Sequence, residues 1–238
     1  MSIAKQFNKV IRKELRVHAA WMPIANNFKI GDYGLIDNGV FVRRGNIKTD
    51  FNIDAAVNTS PNASIDFKST GTSVVKLVAG AQVNVIPAGA VNAEVKVSIT
   101  KNKSFIIKSP SIKVTEIISL DPLAATLAST PGWRSEYKVV CKILNAQNAL
   151  VISSRESNTE LSFTGDASAL EKLDLGNAGL TMSFTKAVGL DIQGENGVIG
   201  LGLFTVDGSG QMNAVRGKAK ATKAKARVLN EVDLEDDM

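Results

Sequence analysis

The sequence predicts an α+β protein, a single domain built on a twisted antiparallel sheet with long amphipathic hairpins, an N-terminal basic amphipathic helix and short connecting helices. Three observations predict it. Apolar and polar residues alternate from Val74 to Thr100 almost without a break, apolar residues recur at helical spacing from Ile3 to His18, and clusters of Gly, Pro, Asn and Asp punctuate short apolar runs from Lys29 onward. Period two marks strands, a period of about 3.6 marks a helix, and the punctuating residues mark turns.

In the N-terminal helix Ile3, Phe7, Val10, Ile11, Leu15 and His18 share one side, with Ser2 placed to cap the free amides. Lys5, Lys9, Arg12, Lys13 and Arg16 lie mostly on the other side. Such a helix either packs on its own domain or lies on an anionic membrane, its apolar side in the headgroup boundary and its cations over lipid phosphates.

From Lys29 the chain becomes strand and turn. Gly31-Asp32-Tyr33-Gly34 and Asp37-Asn38-Gly39 bound short apolar runs, and residues 40–42 form a strand between the Asn-Gly pair and a turn at Arg43-Arg44-Gly45-Asn46. Phe51, Ile53, Ala55 and Val57 alternate as a strand, and Ile65 and Phe67 begin another after Thr59-Ser60-Pro61-Asn62.

The long hairpin follows. Val75, Leu77, Ala79, Ala81, Val83 and Val85 share a face before a turn at Ile86-Pro87-Ala88-Gly89-Ala90. Val91, Ala93, Val95, Val97 and Ile99 share a face after it, opposite Asn92, Glu94, Lys96, Ser98 and Thr100. Each strand approaches the roughly 9–11 residues of a tilted bilayer-spanning strand. The same pattern suits a sheet with one face on a core and one in water.

Residues 105–107 and 112–118 read as strands separated by Ser109-Pro110, and Asp121-Pro122 opens a short helix that ends near Thr130-Pro131-Gly132. Tyr137, Val139, Cys141 and Ile143 alternate with Lys138 and Lys142, and residues 150–153 and 160–163 read as strand partners. A helix over 167–173, an alternation of Leu180, Met182 and Phe184, and a glycine-interrupted strand over 198–206 complete a domain of residues 1–210. Residues 211–238 form a charged flexible or regulatory tail: Arg216, Lys218, Lys220, Lys223, Lys225 and Arg227 precede Glu231, Asp233, Glu235, Asp236 and Asp237.

Composition bounds the function. With 44% apolar and 21% charged residues, the 238-residue chain has the make-up of a globular protein, and its net charge of +5 favours anionic partners. The single cysteine, Cys141, leaves no internal disulfide, and the first residues lack the apolar core of a signal peptide, so a cytoplasmic starting point is expected. No run of roughly 18 apolar residues marks a membrane-crossing helix.

The residues of most enzyme chemistries are missing. One histidine and one cysteine exclude the usual zinc sites, His18 reads as structural, and Cys141 sits on an apolar strand face where its thiol is inert. There is no Walker loop, and Gly197-Val198-Ile199-Gly200-Leu201-Gly202 lacks the strand, glycine turn and helix order of a dinucleotide site. A non-enzymatic protein without cofactor or metal is expected.

The order of elements resembles the pore-forming domain of gasdermins, most closely their compact bacterial relatives, over residues 1–206. The basic helix from Lys5 to Arg16, the amphipathic run from Ile65 to Lys108, the Asp121-Pro122 helix and the strand pair from Tyr137-Lys138-Val139-Val140 to Leu161-Ser162-Phe163 carry the resemblance. It implies a defence protein whose closed form is soluble and whose two hairpin regions extend on activation into a large transmembrane barrel. The first hairpin would use Val75, Leu77, Val83, Val85, Val91, Val95, Val97 and Ile99, and the second Tyr137, Val139 and Ile143. Lysine 76 would lie on the polar side, and the tail after Gly210 would take the place of the short inhibitory segment of the bacterial proteins, open to a protease.

The function expected is therefore membrane permeabilisation. Lys5, Lys9, Arg12, Lys13 and Arg16 would contact anionic lipid, Phe7, Val10 and Ile11 would anchor the helix, and copies of the chain would assemble into a β-barrel at the inner face of the membrane. Two alternatives stand beside it: a self-assembling β-rich structural protein whose strands pair edge to edge, and a nucleic-acid-associated module that uses the basic tail.

Overall fold

The structure is a computed structural model that describes residues 3–69, 71–101, 104–154, 157–172, 181–184, 188–207 and 212–214. In chain order the elements are α1 (Ile3–Leu15), β1 (His18–Ala19), β2 (Asp32–Asp37), β3 (Val40–Asn46), α2 (Ile47–Phe51), β4 (Val57–Thr59), β5 (Ala63–Lys68), β6 (Thr72–Val78), β7 (Ala81–Val83) and β8 (Ala93–Ile99). Then come β9 (Phe105–Ile117), α3 (Leu120–Ala128), β10 (Lys138–Ser154), β11 (Thr159–Thr164), α4 (Ala167–Lys172), β12 (Thr181–Phe184), β13 (Val188–Val206) and β14 (Met212–Ala214). The pairs β1–β13, β2–β3, β2–β10, β4–β9, β5–β9, β6–β7, β6–β8, β8–β11, β11–β12 and β13–β14 are all antiparallel, giving the α+β class expected. Contacts divide the chain into two compact units, one of residues 62–112 and 146–197 and one of the remainder, so the division falls within β9, β10 and β13.

The first unit contains a five-stranded sheet in the order β12-β11-β8-β6-β7. Its centre is β8, whose Ala93, Val95, Val97 and Ile99 are buried while the residues between them are half-buried. They pack with Ile106 of β9, Leu150 and Ile152 of β10, Leu161 and Phe163 of β11 and Leu170 of α4. Each such fully buried side chain contributes about 1.5–3 kcal/mol through removal of apolar surface from water. Strand β5 pairs with β9, and the register shifts where Ala63 meets Ile112 and Ile65 meets Ser109. Pro110 and Ser111 thus oppose Ser64 alone, a bulge that lets a proline sit in a strand, so the two strands expected around Ser109-Pro110 are one.

Two further expectations change here. The first strand of the long hairpin does not run to a turn at residues 86–90; it ends at Val78, where Ala79 and Gly80 both adopt positive φ (50° and 81°) and return the chain as β7. Two consecutive positive-φ residues make the tight turn that matches strand twist, and glycine at the second removes its cost. Residues 160–163 do not pair with 150–153: Leu161 lies opposite Val97 and Phe163 opposite Val95, so β11 extends the sheet of the first hairpin.

In the second unit the strand order is β1-β13-β10-β2-β3, with β14 on β13 and β4 on β9. Asn38-Gly39 forms the expected two-residue turn, but Arg43, Arg44, Gly45 and Asn46 continue β3 instead of turning. The alternation from Phe51 to Val57 is not a strand. The Asn46 side chain caps α2 by accepting from the Lys48 amide, Asn52 ends it in a left-handed conformation, and only Val57–Thr59 is extended. Helix α3 starts at Leu120, one residue before the aspartate expected to cap it, and Pro122 occupies its first turn, where its missing N–H leaves no bond unmade. Leu123, Ala124 and Leu127 pack on Val139, Cys141, Phe204 and Val206. The Leu180 expectation, the Gly208-Ser209-Gly210 linker and the charged tail lie outside the described residues, except that Met212–Ala214 pairs with Phe204–Val206.

Candidate functional site

Two regions carry the residues expected to meet lipid. The first is α1. Lys5, Lys9 and Lys13 recur every fourth residue on its exposed side, Arg16 follows exposed, and Arg12 is half-buried. The opposite side is fixed in its own unit: Phe7 and Ile11 are fully buried, Val10 is half-buried, and the Asn8 carboxamide oxygen accepts the Ala19 amide at 2.8 Å. Phe7 also stands 6.2 Å from the Trp21 ring. Cations are therefore displayed to solvent while the two strongest apolar anchors are not.

His18, expected at the end of this helix, instead pairs with Leu201 as part of β1. It is buried, and neither ring nitrogen has a hydrogen-bond partner. Burial, reinforced by the charges of Arg12 and Lys138, pushes its pKa down to about 4. This is the structural histidine the sequence suggested, held neutral.

The second region is the hairpin of β6 and β8. Its register pairs Thr72 with Ile99, Val75 with Lys96, Leu77 with Glu94 and Val78 with Ala93. Directly opposed residues share a face, so Val75 and Leu77 lie with Lys96 and Glu94, whereas Lys76 lies with Val95 on the face toward the core. The two apolar runs thus occupy opposite faces, and Lys76 is not on the polar side. Val75 and Leu77 are half-buried, Val83 on β7 is half-buried, and Val95, Val97 and Ile99 are buried. Val85 and Val91 are 63% and 78% exposed in the connection between β7 and β8.

A carboxylate holds this connection in place. Glu171 of α4 receives the Lys76 ammonium at 2.5 Å on one oxygen and the Ile86 amide at 3.0 Å on the other. Ile86, between exposed neighbours, is buried in the core of the unit. Partial burial tends to raise the Glu171 pKa, but the Lys76 hydrogen bond, the Ile86 amide and the charges of Lys76 and Lys108 outweigh it, and the net direction is down. No local spacing points to this clamp, because its partners stand 95 and 85 residues apart.

The residues of the second expected hairpin are in the second unit. Val139 is buried against α3, Ile143 packs on Phe41 and Leu203 of another cluster, and Tyr137, just before β10, belongs to an aromatic group with Tyr33 and Trp133. Cys141 is buried and unbridged, and burial pushes its thiol up to about 12. A cleft of about 730 Å³ in this unit is lined by Arg43, Asp32, Lys48 and Asp54. These four charges are paired with one another, Arg43 with Asp32 at 3.4 Å and Lys48 with Asp54 at 2.7 Å. Among the described residues no group of His, Cys, Asp or Glu is placed to hold a metal, and no helix is long and apolar enough to cross a membrane.

No protein-family model and no curated protein matches the chain. Among solved structures it is similar to a bacterial gasdermin from Bradyrhizobium tropiciagri, with 15% identity, a TM-score of 0.38, and coverage of 87% of this chain and 89% of that one.

Proposed function

We propose that the protein permeabilises membranes, attaching to anionic lipid through the exposed cations of α1 and assembling with further copies of itself through β-strands into a barrel. The observation that carries this reading is the connection between β6 and β8. The Ala79 amide already donates to the Asn92 carbonyl at 3.1 Å, one step beyond the Val78–Ala93 pair. Continuing that register after β7 unpairs yields strands of residues 72–84 and 87–99 joined by a two-residue turn at Val85-Ile86, each longer than the roughly 9–11 residues a tilted strand needs to cross a bilayer.

Continuation alone is not sufficient. Val75, Leu77 and Val83 would face one way and Val91, Val95, Val97 and Ile99 the other, and a lipid-exposed strand pair must present both runs on one side. A slip by an odd number of residues does this, because side chains alternate with period two. Insertion in this proposal therefore includes a change of register, and attachment through Lys5, Lys9, Lys13 and Arg16 precedes it, each cation adding about 1 kcal/mol near an anionic surface.

The test is dye release from vesicles with and without anionic lipid, using the full chain and a Lys5→Glu/Lys9→Glu/Lys13→Glu variant. Release from anionic vesicles alone, lost in a variant that unfolds at the same temperature as the parent, is the expected result. Absence of release from anionic vesicles by folded protein, with large assemblies forming in lipid-free buffer, would replace this reading with the self-assembling β-rich protein.

A further inference from the structure

In the first unit a cleft of about 300 Å³ opens between β5, β6, β7 and β9. Val74, Val83 and Ile106 contribute apolar lining, but three ammonium groups reach it from three different strands: Lys68 from β5, Lys76 from β6 and Lys108 from β9. Gln82 and Asn84 also line it.

The positive charge there is under-compensated. Lys108 is only 17% exposed, and its ion pair with Asp66, its cross-strand partner, spans 3.7 Å, beyond a normal hydrogen bond. Asp66 itself is half exposed to solvent, which weakens its hold. Lys76 is shared with Glu171, whose second oxygen is taken by the Ile86 amide. Lys68 has no carboxylate within ion-pair distance among the described residues. Burial lowers the pKa of Lys108 against the pull of Asp66, and the charges of Lys76 and Lys68 lower it further. Two half-buried cations, Lys76 and Lys108, and the exposed Lys68 thus face two carboxylates that are each engaged elsewhere or wet.

We infer that this cleft binds an anion of the phosphate class, either free phosphate or a phosphate headgroup, held by Lys68, Lys76 and Lys108 with Gln82 and Asn84 as further donors. The chemistry favours phosphate over a carboxylate. Lysine is a compact point charge without the planar fork that matches a carboxylate, and three ammoniums arriving from different strands suit an anion with several acceptor oxygens. The inference is independent of the membrane reading, since free phosphate needs no bilayer.

The experiment uses the full chain at about pH 7.5, where phosphate is mostly dianionic. Thermal unfolding is followed against inorganic phosphate at constant ionic strength, and capture on phosphatidic acid/phosphatidylcholine vesicles is measured alongside. Lys108→Met keeps the apolar stem, Lys68→Gln changes an exposed side chain and so guards against a misfolded Lys108 variant, and Asp66→Asn removes the competing carboxylate. The expected result is a phosphate-dependent rise in midpoint temperature for the parent. Lys108→Met should weaken the apparent affinity by about tenfold or more, Lys68→Gln should weaken it less, and Asp66→Asn should strengthen it by about tenfold. If phosphate alone has no effect but vesicle capture falls about tenfold in Lys108→Met, the ligand is the headgroup. Phosphate responses and vesicle capture that depend on neither Lys108 nor Lys68 would overturn the site.

Discussion

Helix α1 and the β6–β8 hairpin are both amphipathic, yet they hide different halves of their character. The helix shows its lysines and buries Phe7 and Ile11 completely. The hairpin exposes Val85 and Val91 in its connection, keeps Val95, Val97 and Ile99 in the core, and turns a lysine inward onto Glu171. Under the proposed mechanism the electrostatic contact with a surface is available at once, whereas the apolar contact needs rearrangement. Attachment thus belongs in that mechanism to one element and insertion to the other, so that each step can be altered separately.

The largest effect should come from locking the hairpin. Val75 and Lys96 are directly opposed, so Val75→Cys/Lys96→Cys places two thiols within reach of a cross-strand disulfide that fixes the present register. Oxidised protein should bind anionic vesicles normally and release no dye, and a reductant should restore release. Full release by the oxidised form would remove the register change from the mechanism.

Packing separates the two regions next. Phe7→Ala should destabilise the protein by about 3–5 kcal/mol in denaturant unfolding, because it empties a fully buried site. Val91→Ala, at an exposed position, should stay within about 0.5 kcal/mol. Similar losses for both would mean that the connection is packed as firmly as the helix.

Acid acts on the two regions in different windows. His18 titrates near 6.5 when unfolded and at about 4 when folded, so the unfolded chain binds the extra proton and stability falls as pH drops through that interval, by about 3 kcal/mol in total. Glu171, whose folded pKa is depressed, contributes stability that is present above its unfolded value of 4.5 and lost as pH falls below it. His18→Gln should flatten the upper window of a stability-against-pH profile and leave the lower one. A profile unchanged by that substitution would contradict the buried, neutral histidine.

A smaller change than that at His18 is expected from Glu171→Gln. The clamp is about one-quarter to one-third exposed on both sides, so its loss should cost only about 1 kcal/mol while speeding hydrogen exchange at the Ile86 amide. Unaltered exchange at Ile86 would show that core burial, rather than Glu171, holds the connection.

Local chemistry was legible in the sequence. The amphipathic N-terminal helix, the Asn38-Gly39 turn, the helix over 167–172, the inert cysteine and the alternating strand around Val95 and Val97 all follow from spacing and residue type within a few positions. The same reasoning failed where an unrecognised local cap or a distant partner decided. Phe51 to Val57 alternate like a strand, but the Asn46 cap and the Asn52 left-handed stop create a helix first. Ser109-Pro110 resembles a break, but β5 accommodates it as a bulge.

By itself, then, the sequence determined which segments are amphipathic, with what period, and that the chain is α+β. Tertiary structure alone decided which strands are neighbours and in what register. A strand carries its own alternation but not its partner's, so β11 beside β8, Lys76 facing inward and Glu171 bound across 95 residues became visible only in the folded chain. Because a one-residue difference in pairing exchanges the two faces of a strand, that decision also sets which side of the hairpin faces the core.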